Sequence, residues 1–198
     1  MSRGGEHELV VIGASWGGLE ALRTLLRGLP ADFDAALVVA QHRAAESHPT
    51  AFQTLLRSVT KLQVCDVEDK RPLRPGVAFL APPDYHSYVE GDHLALSTDE
   101  RVAFSRPSVD VLFESAADTY RERCVGVVLT GANDDGARGL ARIAELGGAA
   151  IVQDPATAER GEMPRAAIAA VPDATVLPVD EMANRLVELC GTAKVAAI

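Results

Sequence analysis

Gly13-Ala14-Ser15-Trp16-Gly17-Gly18 follows directly on the apolar run Leu9–Ile12 and leads into a helical pattern that begins near Leu19. A strand that passes through a tight glycine turn into a helix places the turn's side chain at the edge of the sheet. It also aims several backbone N–H groups, which have no intrahelical partner, at whatever sits there. With a serine flanked as G-x-S-x-G, such a turn reads as a nucleophile beside a ready-made oxyanion site. Glycines at this position also serve merely to tighten a strand–helix connection, so the motif needs a base and an acid elsewhere in the chain.

Outward from this turn the chain alternates apolar strand-like runs with amphipathic helical patterns, the signature of a parallel α/β sheet. The spacing predicts a helix over Leu19–Leu29, a buried strand at Ala36–Ala40 and a helix over Pro49–Val59 with Phe52, Leu55 and Leu56 on one face. Leu62–Val67, Val77–Leu80, Tyr85–Val89 and His93–Leu96 are short strand candidates, the last two joined by a turn at Glu90-Gly91-Asp92. Together they predict an antiparallel annex to the main sheet. Arg106-Pro107-Ser108 starts a helix through Tyr120. Then come a strand at Val125–Leu129, a helix over Ala137–Leu146 and a strand at Ala149–Val152. A short helix at Arg165–Ala169 after Pro164, a last strand at Thr175–Leu177 and a closing helix over Asp180–Cys190 complete the pattern. The expected fold is a three-layer, doubly wound, mostly parallel sheet with a short antiparallel β-hairpin annex. Residues 1–190 form one domain, and residues 191–198 carry no pattern and are expected to fray.

The bulk numbers narrow the function. The chain has 198 residues, 47% of them hydrophobic, enough for one large core. No apolar stretch reaches the roughly 18 residues of a membrane span, and the polar Met1–Glu8 segment is no secretion signal, so a cytoplasmic protein without membrane insertion is expected. With 28 acidic against 19 basic residues the net charge is −9, which argues against a nucleic-acid partner. Cys65, Cys124 and Cys190 lack C-x-x-C spacing and read as reduced, mostly buried thiols.

In an open parallel sheet the active crevice lies beyond the carboxyl ends of the strands. Three polar groups fall at such ends: Ser15 after the first strand, His42 after Ala36–Ala40, and Asp134 and Asp135 after Val125–Leu129. A serine attacks only if a base removes its proton, histidine is the side chain that does so near neutrality, and a carboxylate behind the imidazole fixes its tautomer. The backbone N–H groups of Trp16 and Gly17 lie where an oxyanion would form. The plainer roles are a hydrogen-bonded strand-end histidine and aspartates that cap the next helix.

G-A-S-W-G-G also loosely echoes a dinucleotide-binding turn. Against that, Ser15 replaces the glycine needed for close pyrophosphate approach, and the second strand ends in Gln41-His42 rather than an acidic residue. A metal site of His42, His48 and Asp135 has no supporting ligand spacing, nor do His7, His86 and His93. No metal and no cofactor is expected.

At this point the ordered motifs resemble the catalytic domain of the chemotaxis protein-glutamate methylesterases (CheB type). The family's G-A-S-T-G-G corresponds to Gly13–Gly18 with Trp16 for threonine, its strand-end Q-H to Gln41-His42, and its A-P-x-D-x-H to Ala81–His86. R-P-S-V-D-V-L-F stands unchanged at Arg106–Phe113, V-x-L-T-G-M-G-x-D-G-A corresponds to Val127–Ala137, and G-M-P-R to Glu162–Arg165. The segments keep the family's order over nearly the whole chain. The resemblance implies hydrolysis of γ-glutamyl methyl esters on chemoreceptors, with release of methanol, and related deamidation of receptor glutamines. It implies Ser15 as nucleophile, His42 as base and Asp135, not Asp134, as the orienting acid. Trp16, Gly17, Ala132, Met163, Arg106 and Arg165 would line the oxyanion or substrate pocket, the two arginines being equally suited to structural salt bridges.

Three departures stand beside the resemblance. Trp16 replaces a small residue next to the nucleophile, where an indole would narrow or reshape the acyl pocket. Ala132-Asn133 replaces Met-Gly before Asp135, and Glu162 replaces glycine before Met163. They keep open an esterase or amidase with a different substrate, and a catalytically silent module of the same fold. The family's usual receiver domain is not in this sequence, which fits either an excised fragment or a stand-alone esterase regulated elsewhere. The expected partners are a methylated chemoreceptor or similar signalling protein as substrate and, for a stand-alone esterase, a separate receiver or regulatory protein.

Overall fold

A computed structural model describes residues 7–43, 49–102 and 104–193 of the chain. In chain order its elements are β1 (Leu9–Ala14), α1 (Gly18–Gly28), β2 (Ala36–Gln41), α2 (Pro49–Arg57), β3 (Gln63–Asp66), β4 (Arg71–Pro72), β5 (Val77–Leu80), β6 (His86–Glu90) and β7 (His93–Ser97). There follow α3 (Val109–Tyr120), β8 (Cys124–Val128), α4 (Ala137–Glu145), β9 (Ala149–Gln153), α5 (Glu162–Ala170), β10 (Thr175–Leu177) and α6 (Val179–Cys190). Seven strands form one sheet in the order β10-β9-β8-β1-β2-β5-β3, and each of its pairings is parallel.

All six residues of β1 and of β2 are buried, as expected for strands covered on both faces. Because successive side chains alternate across a strand, β1 feeds two cores. Val10 and Ile12 pack with Leu22, Leu25 and Leu26 of α1 and Met182 and Leu186 of α6. Leu9 and Val11 face the other way, into the cluster that holds Leu112 and Phe113 of α3 and Leu140 and Ile143 of α4. Each such side chain contributes about 1.5–3 kcal/mol when fully buried. The register of the central strands is therefore held by the cores, and the loops at their ends inherit fixed positions.

The sheet is wound outward in two directions from its centre. From β1 the chain crosses to β2 and on towards β5 and β3, whereas β8, β9 and β10 fill the other side. The reversal falls between β1 and β8, and in open α/β sheets ligands bind outside the carboxyl ends of the strands at such a point.

The antiparallel annex is present, with other members than expected. Residues 62–67 and 77–80 do not belong to it: β3 and β5 are parallel members of the main sheet, in register Val64↔Ala78 and Val38↔Phe79. All four residues of β5 are buried, the continuous burial of an inner parallel strand, not the alternation of a half-solvated annex. The annex itself is a separate sheet in the order β4-β7-β6, whose two-residue β4 carries too little pattern to read in advance. The helix expected at Arg165–Ala169 begins earlier, at Glu162, because a proline in a first turn gives up no hydrogen bond. Residues 191–193 are tied back to residues 32–34, with Asp34 N–H donating to Gly191 O (3.2 Å) and Ala193 N–H to Asp32 O (2.7 Å). Residues 194–198, His48 and most of the Met1–Glu8 segment lie outside the described residues. Among the described residues no helix is long and apolar enough to cross a membrane.

Candidate active site

Three neighbouring strands, β2, β1 and β8, bring the candidate residues to one edge. β1 pairs with β2 in register Ala14↔Gln41 and with β8 in register Gly13↔Val128, so Ser15 and His42 each leave at a strand's carboxyl end, and the loop bearing Asp135 starts there. His42 N–H donates to Ala14 O (3.0 Å) and Ser15 N–H to Thr130 O (2.9 Å), extending the ladders one residue past the strands.

His42 and Asp135 meet directly: Nε2 of the ring lies 2.8 Å from Oδ2 of the carboxylate. Asp135 is buried and takes three further donors. Val109 N–H reaches Oδ2 (2.8 Å), while Asp110 N–H and Ser108 Oγ reach Oδ1 (2.9 Å each). Two of these are the first N–H groups of α3, and the N-cap residue of that helix, Ser108, supplies the hydroxyl. Burial by itself would push the Asp135 carboxyl up. The His42 hydrogen bond and the Asp110 and Val109 N–H groups outweigh it and hold the carboxyl below the ordinary carboxylate range. An ionised Asp135 only accepts, so the proton of a neutral His42 resides on Nε2 and the lone pair on Nδ1.

The clamp is reciprocal. Asp110, in the first turn of α3, accepts from Gly136 and Gly139 at the start of α4 (2.9 and 2.8 Å). Each helix is thus capped by an aspartate from the other's neighbourhood, and the cross-over pins Asp135. Burial pushes the Asp110 carboxyl up; the Gly139 and Gly136 N–H groups oppose that and the Asp135 charge adds to it.

Ser15 sits half-buried in a turn closed by Gly18 N–H donating to Ser15 O (3.0 Å). Gly17 adopts φ 76°, the left-handed region, and a Cβ there would lie 2.7 Å from Glu159. Among the described residues the Ser15 hydroxyl and the N–H groups of Trp16 and Gly17 make no hydrogen bond. The Ser15–His42 leg is therefore open here, as hydroxyl–base contacts in unliganded sites often are. Nδ1 of His42 instead lies 3.4 Å from Nδ2 of Asn133, whose Oδ1 accepts from Asp135 N–H (3.3 Å). With Oδ1 so engaged, the amide turns its N–H₂ towards the lone pair that would receive the serine proton.

The other expected pocket residues separate. Met163 is buried behind Gly131; a Cβ on Gly131 would collide with Met163 Sδ and approach Ser15 Cβ to 2.9 Å, so this close approach needs glycine. Trp16 is 59% exposed; its Nε1–H donates to Glu159 (2.7 Å) and Arg160 lies over its ring, so the indole covers the rim rather than filling the interior. Ala132 is exposed, and the Arg165 side chain lies against Gly161. Arg106 borders the same cavity as His42 but spends its donors on Asp84 (2.8 Å) and on the carbonyls of Thr98 and Asp99. Arg106 also holds the Asp84 carboxyl below its usual range by hydrogen bonding.

Sequence reasoning missed the Ser108–Asp110 clamp, though a serine before an apolar-periodic segment is a helix-start signal. His86 is also consumed inside: Ser108 N–H donates to its Nδ1 (3.2 Å) and its Nε2–H to Glu100 O (3.0 Å). Burial pushes the Cys124 thiol up and takes Cys190 up to about 12, so neither supplies a thiolate near neutrality.

A doubly wound parallel sheet with a serine turn on its central strand, flanked by a histidine and a clamped aspartate, defines the class: an α/β protein of the serine-hydrolase kind. Residues 10–186 match the CheB methylesterase family, and the chain belongs to that family. A Leptospira interrogans protein provisionally named protein-glutamate methylesterase/protein-glutamine glutaminase is 44% identical over 184 residues, 92% of this chain and 95% of its own length. A protein from Anaeromyxobacter dehalogenans named protein-glutamate methylesterase/protein-glutamine glutaminase 2 is 42% identical over 188 residues, and there the match spans 95% of this chain but only 55% of the relative. The CheB methylesterase catalytic domain of Thermotoga maritima superposes with a TM-score of 0.89 at 30% identity, covering 92% of this chain and 98% of that structure.

Proposed function

We propose that this chain is a cytoplasmic protein-glutamate methylesterase that hydrolyses γ-glutamyl methyl esters of a methylated chemoreceptor or similar signalling protein, and that a separate receiver or regulatory protein controls it. The observation that carries the reading is the 2.8 Å contact between His42 and the clamped Asp135 at the strand edge that also bears Ser15. Ser15 Oγ attacks the ester carbonyl carbon while Nδ1 of His42 takes the hydroxyl proton. The Trp16 and Gly17 N–H groups receive the oxyanion. The C–O bond to the methoxy group breaks, the imidazolium returns the proton to it, and methanol leaves. Water then attacks the acyl-enzyme with His42 again as base, which frees Ser15 and the glutamate carboxylate. An amide substrate follows the same path and releases ammonia. Throughout, Asp135 stays ionised and stabilises the imidazolium.

Methanol release from a methylated receptor tests this. Ser15→Ala is expected to lower kcat by at least about 10³-fold with the fold intact by circular dichroism. Equal rates for the two enzymes would remove Ser15 from the mechanism.

A further inference from the structure

Beside His42 lies a cavity of about 270 Å³ bordered by Arg43, Asp84, Arg101, Phe104 and Arg106. Two of its guanidinium groups, Arg101 and Arg106, share the Asp84 carboxylate, and the third, Arg43, has Asp66 near enough to act on its charge, in a chain whose net charge is −9. Arg106 is spent on the cavity wall. Arg101 gives Asp84 a single hydrogen bond (3.1 Å), and its side chain is 56% exposed. Arg43 donates Nη2 to Ala81 O (2.9 Å) and lies 4.5 Å over the Phe52 ring, while its Nε and Nη1, both buried, make no hydrogen bond among the described residues. Arg43 also borders a second cavity, of about 330 Å³, together with Ser15, Gln41 and Phe52. It is the residue common to the space at the base and the space at the nucleophile, apart from which the two cavities have different walls.

A methyl ester and an amide are neutral, and the oxyanion they form is met by backbone N–H groups of the Ser15 turn. The chemistry at Ser15 thus leaves the unspent guanidinium donors without a task. Guanidinium groups with free donors match carboxylates, and a local positive field in an otherwise acidic protein steers and registers an acidic partner. At the mouth of the same cavity Phe104, 96% exposed with φ 64°, stands on a turn closed by Val102 and Ser105. A large exposed aromatic next to a charged cleft suits contact with a protein partner.

We propose that Arg43 and Arg101 form a carboxylate subsite that selects substrate segments carrying acidic side chains beside the esterified glutamate, with Phe104 as the apolar contact at its mouth. The proposal rests on the methylesterase reading, and its test separates the two. The Ser15→Ala protein is titrated at low ionic strength with two helical peptides, each holding one γ-methyl glutamate, flanked by glutamates in one and by glutamines in the other. Fluorescence anisotropy is expected to show the glutamate-flanked peptide binding about tenfold tighter, the effect of one charge-assisted hydrogen bond. The gap should close with added salt and in the additional variant Arg101→Gln. Arg43→Gln should close it too, and Arg101, being exposed, carries the test if that variant folds poorly. Equal affinity for both peptides, or a gap that survives Arg101→Gln, overturns the subsite. Binding is read without turnover, so a chain that binds the acidic peptide but releases no methanol with Ser15 in place would overturn the esterase reading alone.

Discussion

Two turns at the same edge of the sheet share one local plan and put it to opposite uses. Each runs from a central strand into a helix whose N-cap glycine is left-handed, Gly17 at φ 76° and Gly136 at φ 100°, and neither helix has a side-chain cap of its own. In the Ser15 turn the hydroxyl and two N–H groups stay uncommitted among the described residues. In the Asp135 turn nearly everything is committed: Asp110 holds Gly136 and Gly139, and the Asp135 carboxylate takes four donors. A nucleophile and an oxyanion site must keep vacant bonds for the substrate. An orienting carboxylate works only if it cannot move. The same backbone motif thus becomes reactive or rigid according to what packs against it.

Breaking the rigid turn at its centre should have the largest effect. Asp135→Asn keeps the shape but loses the charge that selects the tautomer, and kcat is expected to fall by about 10⁴, read as methanol release. The variant also sharpens the linkage. The folded carboxyl titrates below its unfolded value of about 3.9, so its contribution to stability is complete above that pH and is lost as pH falls through the folded value. Thermal melts should therefore show a deficit in the variant at pH 7 that shrinks below pH ~4; the same deficit at both would mean that the charge is not what the clamp binds.

Removing the reciprocal cap should cost less. Asp110→Ala strips the acceptor from two N–H groups of α4, about 1 kcal/mol or somewhat more, hence several degrees of Tm. Its effect on kcat should stay well short of that of Asp135→Asn, because the donors on Asp135 are backbone groups and Ser108. A loss as deep would show the two aspartates acting as one unit. The smallest effect is expected at Asn133→Gly. The amide competes with the serine hydroxyl for Nδ1 of His42 at 3.4 Å, a long hydrogen bond, so kcat/KM should rise by less than about tenfold. A fall would assign the amide to holding the ring.

Legibility in the sequence followed the range of the forces involved. The Gly13–Gly18 turn, the apolar runs of β1, β2 and β8 and the periodicity of α1, α3 and α6 are local signals, and they identified the strand ends where Ser15, His42 and Asp135 stand. The membership of β3 and β5 in the main sheet was misread because a four-residue strand, mixed as in β3 or apolar as in β5, carries no mark of which neighbour it pairs with. The partners of Asp135 were missed because they come from the start of α3, 25–27 residues away, and Arg106–Phe113, as a helix start and as a family motif, carries no mark of the carboxylate it meets.

By itself the sequence determined a parallel α/β sheet and three chemically suited side chains at strand ends, since periodicity and turn chemistry act over a few residues. Only the tertiary structure decided that Asp135 is locked by the start of α3 while Ser15 is left open, that Asn133 faces the base, and that Arg43 and Arg101 share a cavity. Those outcomes depend on which helix ends the two buried cores bring together, and packing between distant segments leaves no trace in any short stretch of chain.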